Sequence, residues 1–128
     1  MISPGIRQFL NVGFGMTRVL FGVVASSVPE RIGSTWIGED ASRESSKVVF
    51  RALGLRDIAL GAGMVEASVR DEAAPWLAVA MLSDLGDFTA TIIARNKIDP
   101  RAVAITAFLT GSATVTAAGL LALNLASD

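Results

Sequence analysis

The sequence predicts an all-α integral membrane protein, built as an up-down bundle of four transmembrane helices with an inward-facing core of polar and small residues. Three observations predict this class. Of the 128 residues, 52% are hydrophobic and 18% are charged, whereas a soluble domain usually carries about 25% charged residues. Residues 102–127 contain no charged side chain, and about 20 apolar residues suffice to cross a bilayer. Finally, each predicted helix collects its small and polar residues on one face.

The first helix is predicted over 6–28. It ends before Pro29, because proline cannot continue a helix and restricts the residue before it. A cleaved signal peptide is the alternative for this segment. We expect a retained helix instead, because Arg18 interrupts the short apolar run and Gly13 and Gly15 extend the segment upstream.

The second helix is predicted over 43–69, after a longer loop at 29–42. Ser42 or Asp40 can cap its N-terminus, since both side chains carry an oxygen that accepts from free backbone N–H groups.

The third and fourth helices are predicted over 72–95 and 100–126. Asp71 is a candidate cap for the third helix, and Pro75 falls in its first turn, where the missing N–H does no harm. Asp99 followed by proline marks the start of the fourth helix. The connections on either side of the third helix are tight, so consecutive helices should be antiparallel neighbours in one domain spanning 1–128.

The distribution of basic residues predicts the orientation in the membrane. Six Lys or Arg residues lie in or beside the first and third loops, against only Arg7 and Arg70 in the N-terminal tail, the second loop and the C-terminal tail. The positive-inside rule then puts both termini outside, in the cytoplasmic (inner) membrane of a bacterium. Trp36 and Trp76 fall near the predicted interfaces, where indole rings anchor helices, although Trp36 is equally well explained by packing within its loop.

Helical spacing places one polar stripe on each helix, because residues three and four apart share a face. In lipid, small residues let helices approach and polar residues bond across the contact, so all four stripes should face inward. The stripes comprise Asn11, Gly15, Arg18, Gly22 and Ser26; Gly54, Asp57, Gly61, Met64 and Ser68; Ala80, Asp84, Asp87, Thr91 and Arg95; and Thr106, Thr110, Ala113, Ala117 and Asn124.

Five charged residues lie near the midpoints of the first three helices: Arg18, Arg56, Asp57, Asp84 and Asp87. Charges at that depth are costly and usually pair with one another or mark a working site. We expect Arg18 to pair with Asp84 or Asp87, and Arg56 to pair with the other. Asp57 is then left without a cation. Because two positive charges face three negative ones, we also expect one of the three aspartates to be protonated at neutral pH.

The composition excludes several kinds of chemistry. Cysteine and histidine are both absent, which removes disulfides, thiolate nucleophiles, zinc sites with Cys or His ligands, and iron–sulfur or His-ligated haem centres. The formal net charge of −1 offers no basic surface for nucleic acid. We therefore expect no cofactor, no metal ion and no nucleic-acid partner.

The same residues resemble a known family. Arg18, the run ALGLRDIALG at 52–61, and Asp84 with Asp87 are similar to the small DoxX-like four-helix membrane proteins, within a branch whose function is unknown. The resemblance covers nearly the whole chain, and its distinctive element is the Gly-Leu-Arg-Asp sequence at 54–57. It implies a four-helix membrane fold. Some DoxX relatives are linked to membrane oxidoreductases that pass electrons to quinone.

Three functions remain open at this point. The chain is expected to be a structural or accessory membrane component held together by its charge network, with lipid, a membrane-protein partner or a second copy as its partners. The alternative is a small oligomeric proton-coupled transporter, or a protein that binds quinone or lipid, using the same charged centre. An enzyme is the least favoured, since no nucleophile–base pair is present.

Overall fold

The computed structural model describes residues 2–127, and these form helices joined by short connections, with no strand among them. Four helices are long and one is short. They are α1 (Pro4–Ser27), α2 (Pro29–Ile37), α3 (Glu44–Val69), α4 (Ala74–Ala94) and α5 (Pro100–Leu125), with a 3₁₀ turn at Gly38–Ser42 between α2 and α3.

The predicted loop at 29–42 is wrong, because most of it is helical. Val28 leaves the helical conformation (φ −128°, ψ 61°) and ends α1, and Pro29 then begins α2. Proline at the first helical position has its fixed φ already suited to a helix and needs no hydrogen-bond partner. Glu30 in the first turn also complements the positive end of the helix dipole. The same proline that ends one helix therefore starts the next.

The predicted caps are confirmed at one helix and wrong at two. The Asp99 side chain accepts a hydrogen bond from the Arg101 backbone N–H (2.7 Å) at the start of α5. The residues that precede α3 and α4 are Arg43 and Ala73, and neither makes a side-chain cap. Asp71 instead lies in the turn before α4 with a left-handed backbone (φ 62°).

Three helices, α1, α4 and α5, are long and apolar enough to cross a membrane. The prediction of a fourth span falls on α3, which is as long as α5 but carries more charged residues, including Arg56, Asp57 and Glu66. The part of the chain that the structure describes is therefore all-helical, with three apolar helices of transmembrane length.

Helices α1 and α3 pack against each other in antiparallel orientation through four glycines. A Cβ added to Gly15 or Gly61 would lie within 3.0 Å of the backbone of the opposite helix, and the same holds for Gly22 and Gly54. No larger residue fits at these positions without separating the helices. The glycines thus set the closest approach of the two backbones.

Polar side chains fill the interior, and large apolar side chains cover much of the outside. Phe9, Ile93 and Phe108 are all more than 70% exposed. The buried polar and charged residues are Arg7, Asn11, Arg18, Asp57, Ser68, Asp84, Thr91, Thr106, Thr110 and Asn124. A soluble bundle has the opposite arrangement.

The four polar stripes face inward along most of their length. Ser26, Asp87 and Ala113 are only half-buried, and Arg95, at the end of α4, is exposed. An apolar cluster of Met64, Leu77 and Leu120 with two alanines fills the interior near the turn that joins α3 to α4.

Candidate functional site

The five charged residues predicted from the sequence meet in the middle of the bundle. Arg18 comes from α1, Arg56 and Asp57 from α3, and Asp84 and Asp87 from α4. The side chains of Arg18, Asp57 and Asp84 are 7%, 7% and 8% exposed, whereas those of Arg56 and Asp87 are 32% and 17% exposed. The structure thus has a buried centre and a more open flank.

Arg18 bridges two carboxylates from two other helices. Its Nη1 donates to Asp84 Oδ2 (2.7 Å), and its Nη2 donates to Asp57 Oδ1 (2.5 Å). The guanidinium carbon also lies 5.9 Å from the centre of the Phe14 ring, a distance at which a cation is attracted to the ring face. The planar fork of arginine suits this double contact, because its two Nη atoms point toward different carboxylates from a fixed geometry. One side chain therefore ties α1, α3 and α4 together.

Arg56 and Asp87 form the second ion pair. Arg56 Nη1 donates to Asp87 Oδ1 (3.2 Å) and Nη2 donates to Asp87 Oδ2 (2.7 Å), which is the parallel two-bond geometry that arginine makes with a carboxylate. Arg56 Nη2 also lies 3.8 Å from Asp57 Oδ1. Of the two pairings open to the sequence, the structure has Arg18 with Asp84 and Arg56 with Asp87.

The expectation that Asp57 has no cation is wrong. Arg18 reaches Asp57 as well as Asp84, because the glycine contacts bring α1 and α3 close enough for one guanidinium to lie between two helices. Pairing the charges one to one overlooked the fact that a single guanidinium can serve two carboxylates at once.

The network does not use all of its hydrogen-bonding capacity. Four of the six carboxylate oxygens accept from an arginine, and among the residues the structure describes nothing donates to Asp57 Oδ2 or Asp84 Oδ1. The Nε atoms of Arg18 and Arg56 are buried without a hydrogen-bond partner. With two arginines and three aspartates, the cluster carries a formal charge of −1.

The glycine contacts position this centre. Gly15 and Gly22 flank Arg18 along α1, and Gly61 and Gly54 flank Asp57 along α3, so the ion pair lies between two close contacts of the same helices. A helix pair held at both points has little freedom to rotate, which fixes the directions of the two side chains.

Further polar contacts between helices lie on both sides of the charged cluster, toward the two ends of the bundle. Asn11 and Asn124 exchange hydrogen bonds between α1 and α5 (3.0 and 3.2 Å). At the other end, Trp36 Nε1 donates to Thr91 Oγ1 (2.9 Å), which ties α2 to α4. The Trp36 ring also meets Phe50 edge-on, with 5.7 Å between ring centres. The indole of Trp36 is therefore engaged in packing inside the bundle.

Sequence reasoning also missed the ion pair between Arg7 and Asp71. Arg7 donates through Nη2 to both oxygens of Asp71 (2.9 and 3.0 Å), and Arg7 is only 6% exposed. Arg7 was assigned to the N-terminal tail and Asp71 to a helix cap. The sequence does contain a signal that Arg7 is buried. Arg7 lies four residues before Asn11 and is therefore on the polar face of α1.

A cavity of about 230 Å³ lies against the charged centre. Arg18, Asp57, Asp84 and Asp87 line its polar side. The remaining lining is mostly apolar and comes from α1, α2 and α5: Phe14, Thr17, Phe21, Trp36, Leu109, Thr110 and Ala113. Sequence analysis did not identify this apolar wall, because it depends on α2, which was predicted as a loop.

The site combines charged groups with apolar walls and offers acceptor oxygens, without a nucleophile and base placed to act together. Within residues 2–127, no group of three carboxylates is arranged to hold a metal ion. No family model matches the chain, and no curated protein or solved structure is significantly similar to it.

Proposed function

We propose that this chain is an integral membrane protein whose central Arg/Asp network holds a bundle of four transmembrane helices together, and that it serves as a structural or accessory membrane component. The observation that carries the proposal is the position of Arg18. It joins carboxylates from two other helices at the centre of the bundle. The resemblance to DoxX-like proteins implies the same four-helix architecture.

Helix α3 is proposed as the fourth transmembrane span. Its 26 residues extend over about 39 Å at 1.5 Å per residue, more than the roughly 30 Å of the hydrocarbon layer. Its central charges face the interior, where Asp57 and Arg56 meet α1 and α4. A helix whose charges are neutralised within the protein is compatible with lipid although its own sequence is less apolar.

The proposed environment is the cytoplasmic membrane of a bacterium, with both termini outside. Exposed apolar residues on the outer faces of α1, α4 and α5 support contact with lipid. The excess of basic residues at one end of the bundle supports the orientation.

The outer face of α5 supports contact with another membrane protein or a second copy. Gly111, Ser112 and Thr116 border a shallow groove on this face, and nothing lies within 4 Å of the position where Gly119 would carry a Cβ. Small residues on an exposed face let a neighbouring helix approach closely.

Native mass spectrometry after gentle extraction in dodecyl maltoside tests the accessory role. Co-purification of one membrane protein at fixed stoichiometry, or a homo-oligomer, supports the proposal. Replacing Gly119 with leucine should then dissociate the assembly, while leucine in place of Gly13, an open position on α1, serves as the matched control. A strict monomer under all mild conditions would contradict the accessory role.

A second candidate function is binding at the charged centre, as in a proton-coupled transporter or a protein that binds quinone or lipid. The cavity beside Asp57 and Asp84 favours it, because this volume is bounded by charged groups on one side and aromatic rings on the other. A small molecule that co-purifies with the protein and is released by Asp84→Asn would support this candidate.

A further inference from the structure

We propose that the cavity between α1, α2 and α5 binds an organic monocation, namely a protonated amine on a compact apolar body. The inference rests on the second candidate function, binding at the charged centre, and names the class of ligand. The structural role of the network does not depend on it.

The charge of the cavity favours a cation. Three carboxylates line it, from Asp57, Asp84 and Asp87, against one guanidinium, that of Arg18. Arg56 neutralises Asp87 through an ion pair and is not itself part of the cavity lining. Although each aspartate contacts an arginine, the cluster keeps a net charge of −1, and in a site of low dielectric constant a cation is the strongest partner for it.

The hydrogen-bonding capacity of the cavity favours a donor. Asp57 Oδ2 and Asp84 Oδ1 accept no hydrogen bond from the described residues. Neither atom is fully enclosed by the protein. Both side chains are more than nine-tenths buried and line the cavity. An ammonium group supplies both the positive charge and the N–H donors that these oxygens accept.

The walls of the cavity favour a small apolar body that carries an aromatic or branched group. Phe21, Trp36 and Leu109 line the same volume as the carboxylates, and aromatic rings attract cations as well as apolar groups. The volume of about 230 Å³ exceeds the roughly 150 Å³ of a cavity that accepts benzene. A single ring with a two- or three-atom arm ending in an ammonium fits these dimensions.

The position of the cavity favours a free small molecule over a lipid headgroup. Arg18, Asp57 and Asp84 lie near the middle of their helices. The ammonium of a lipid headgroup lies at the membrane surface, level with the ends of the helices. Thr17, Phe21 and Leu109 of the lining are exposed on the outer surface, so the cavity reaches the surface between α1 and α5. A ligand that partitions into lipid can enter by this side.

The prediction that one aspartate is protonated fits the same account. The excess negative charge behind that prediction is the same charge that a bound ammonium neutralises. The residues of α2 and α5 that line the cavity carry no ionisable group.

Isothermal titration calorimetry on the full chain in dodecyl maltoside, with protein-free micelles subtracted, tests the proposal. The probes are 2-phenylethylammonium, the neutral 2-phenylethanol, the anionic 3-phenylpropionate and the neutral duroquinone. We expect 2-phenylethylammonium to bind at least tenfold more tightly than each of the others. Asp57→Asn, which removes the excess charge, should weaken its binding at least tenfold and weaken the binding of neutral 2-phenylethanol by much less.

A second variant keeps the test independent of the charge network. Ala113→Phe fills the cavity from α5 and should abolish binding, whereas Ala122→Phe on the exposed face of α5 should leave it intact. Equal binding of 2-phenylethanol and 2-phenylethylammonium would overturn the cation assignment, and so would binding that survives Ala113→Phe. If duroquinone binds in place of the amine, binding at the centre stands and the ligand class is wrong. If no probe binds, the cation assignment is overturned along with the binding function.

Discussion

Replacing Arg18 with methionine should destabilise the protein by about 3–5 kcal/mol, the range for removing one partner of a buried ion pair. Methionine keeps most of the length of the side chain and removes its charge. The change leaves Asp57 and Asp84, 7% and 8% exposed, without the guanidinium that now donates to each. Two hydrogen bonds to charged groups, at about 1.5–3 kcal/mol each, give a loss of the same size.

The loss should be largely reversible by removing the stranded charges. Arg18→Met with Asp84→Asn leaves Asp57 buried, although Arg56 Nη2 lies 3.8 Å from it, so this double variant should recover part of the stability. The triple variant with Asp57→Asn as well should recover more than half of it, because no unpaired charge then remains and Arg56 still neutralises Asp87.

Reversible unfolding in mixed micelles of dodecyl maltoside and SDS measures these free energies, with helicity followed by circular dichroism. Arg70→Met is the matched control. Its ion pair with Glu66 is 59% exposed on both sides, and exposed pairs contribute about 0–1 kcal/mol. A loss for Arg18→Met no larger than that of the control would refute the structural role of the network. A triple variant no more stable than the single one would refute the assigned pairing.

Three further predictions concern packing, the second polar contact and topology. Gly54→Ala should destabilise the α1–α3 contact by about 1–3 kcal/mol in the same unfolding assay, because its Cβ would lie within 3.0 Å of α1. Gly86→Ala, at an open position, should not destabilise the protein, and equal losses for the two changes would contradict the proposed close approach. A double-mutant cycle with alanine at Asn11 and Asn124 should give a coupling free energy of about 0.5–1.7 kcal/mol, the range for interhelical hydrogen bonds in membranes; a value near zero would show that the amide pair contributes no stability. Because the chain has no cysteine, Ser3→Cys provides a single thiol, which a membrane-impermeant maleimide should label in whole cells; labelling only after permeabilisation would reverse the proposed orientation.

The sequence identified the members of the central cluster because the cost of burying charge in lipid does not depend on tertiary detail. Any charge at the midpoint of an apolar helix must face inward and find a partner. Arg18, Asp84 and their neighbours could therefore be located from their positions along the helices alone. The inward faces followed in the same way from helical periodicity, which is a local property of each segment.

Partner choice could not be predicted, because it depends on how closely the helices approach and how they are rotated. The glycine contacts between α1 and α3 decide that Arg18 reaches Asp57 in addition to Asp84. Counting one carboxylate for each arginine ignored this possibility. The contact between Arg7 and Asp71 has a related cause. It depends on how the start of α1 lies against the turn between α3 and α4.

The sequence by itself determined the four long helices, their polar faces and the residues that meet at the centre, because helix formation and charge burial follow from local composition. Only the tertiary structure decided that Pro29 restarts a helix, and it is α2 that brings Trp36 to the wall of the cavity. It also decided that one carboxylate oxygen of Asp57 and one of Asp84, two residues that line that cavity, accept no hydrogen bond from the described residues. Such features arise from contacts between distant segments, and those contacts are fixed only when the helices pack.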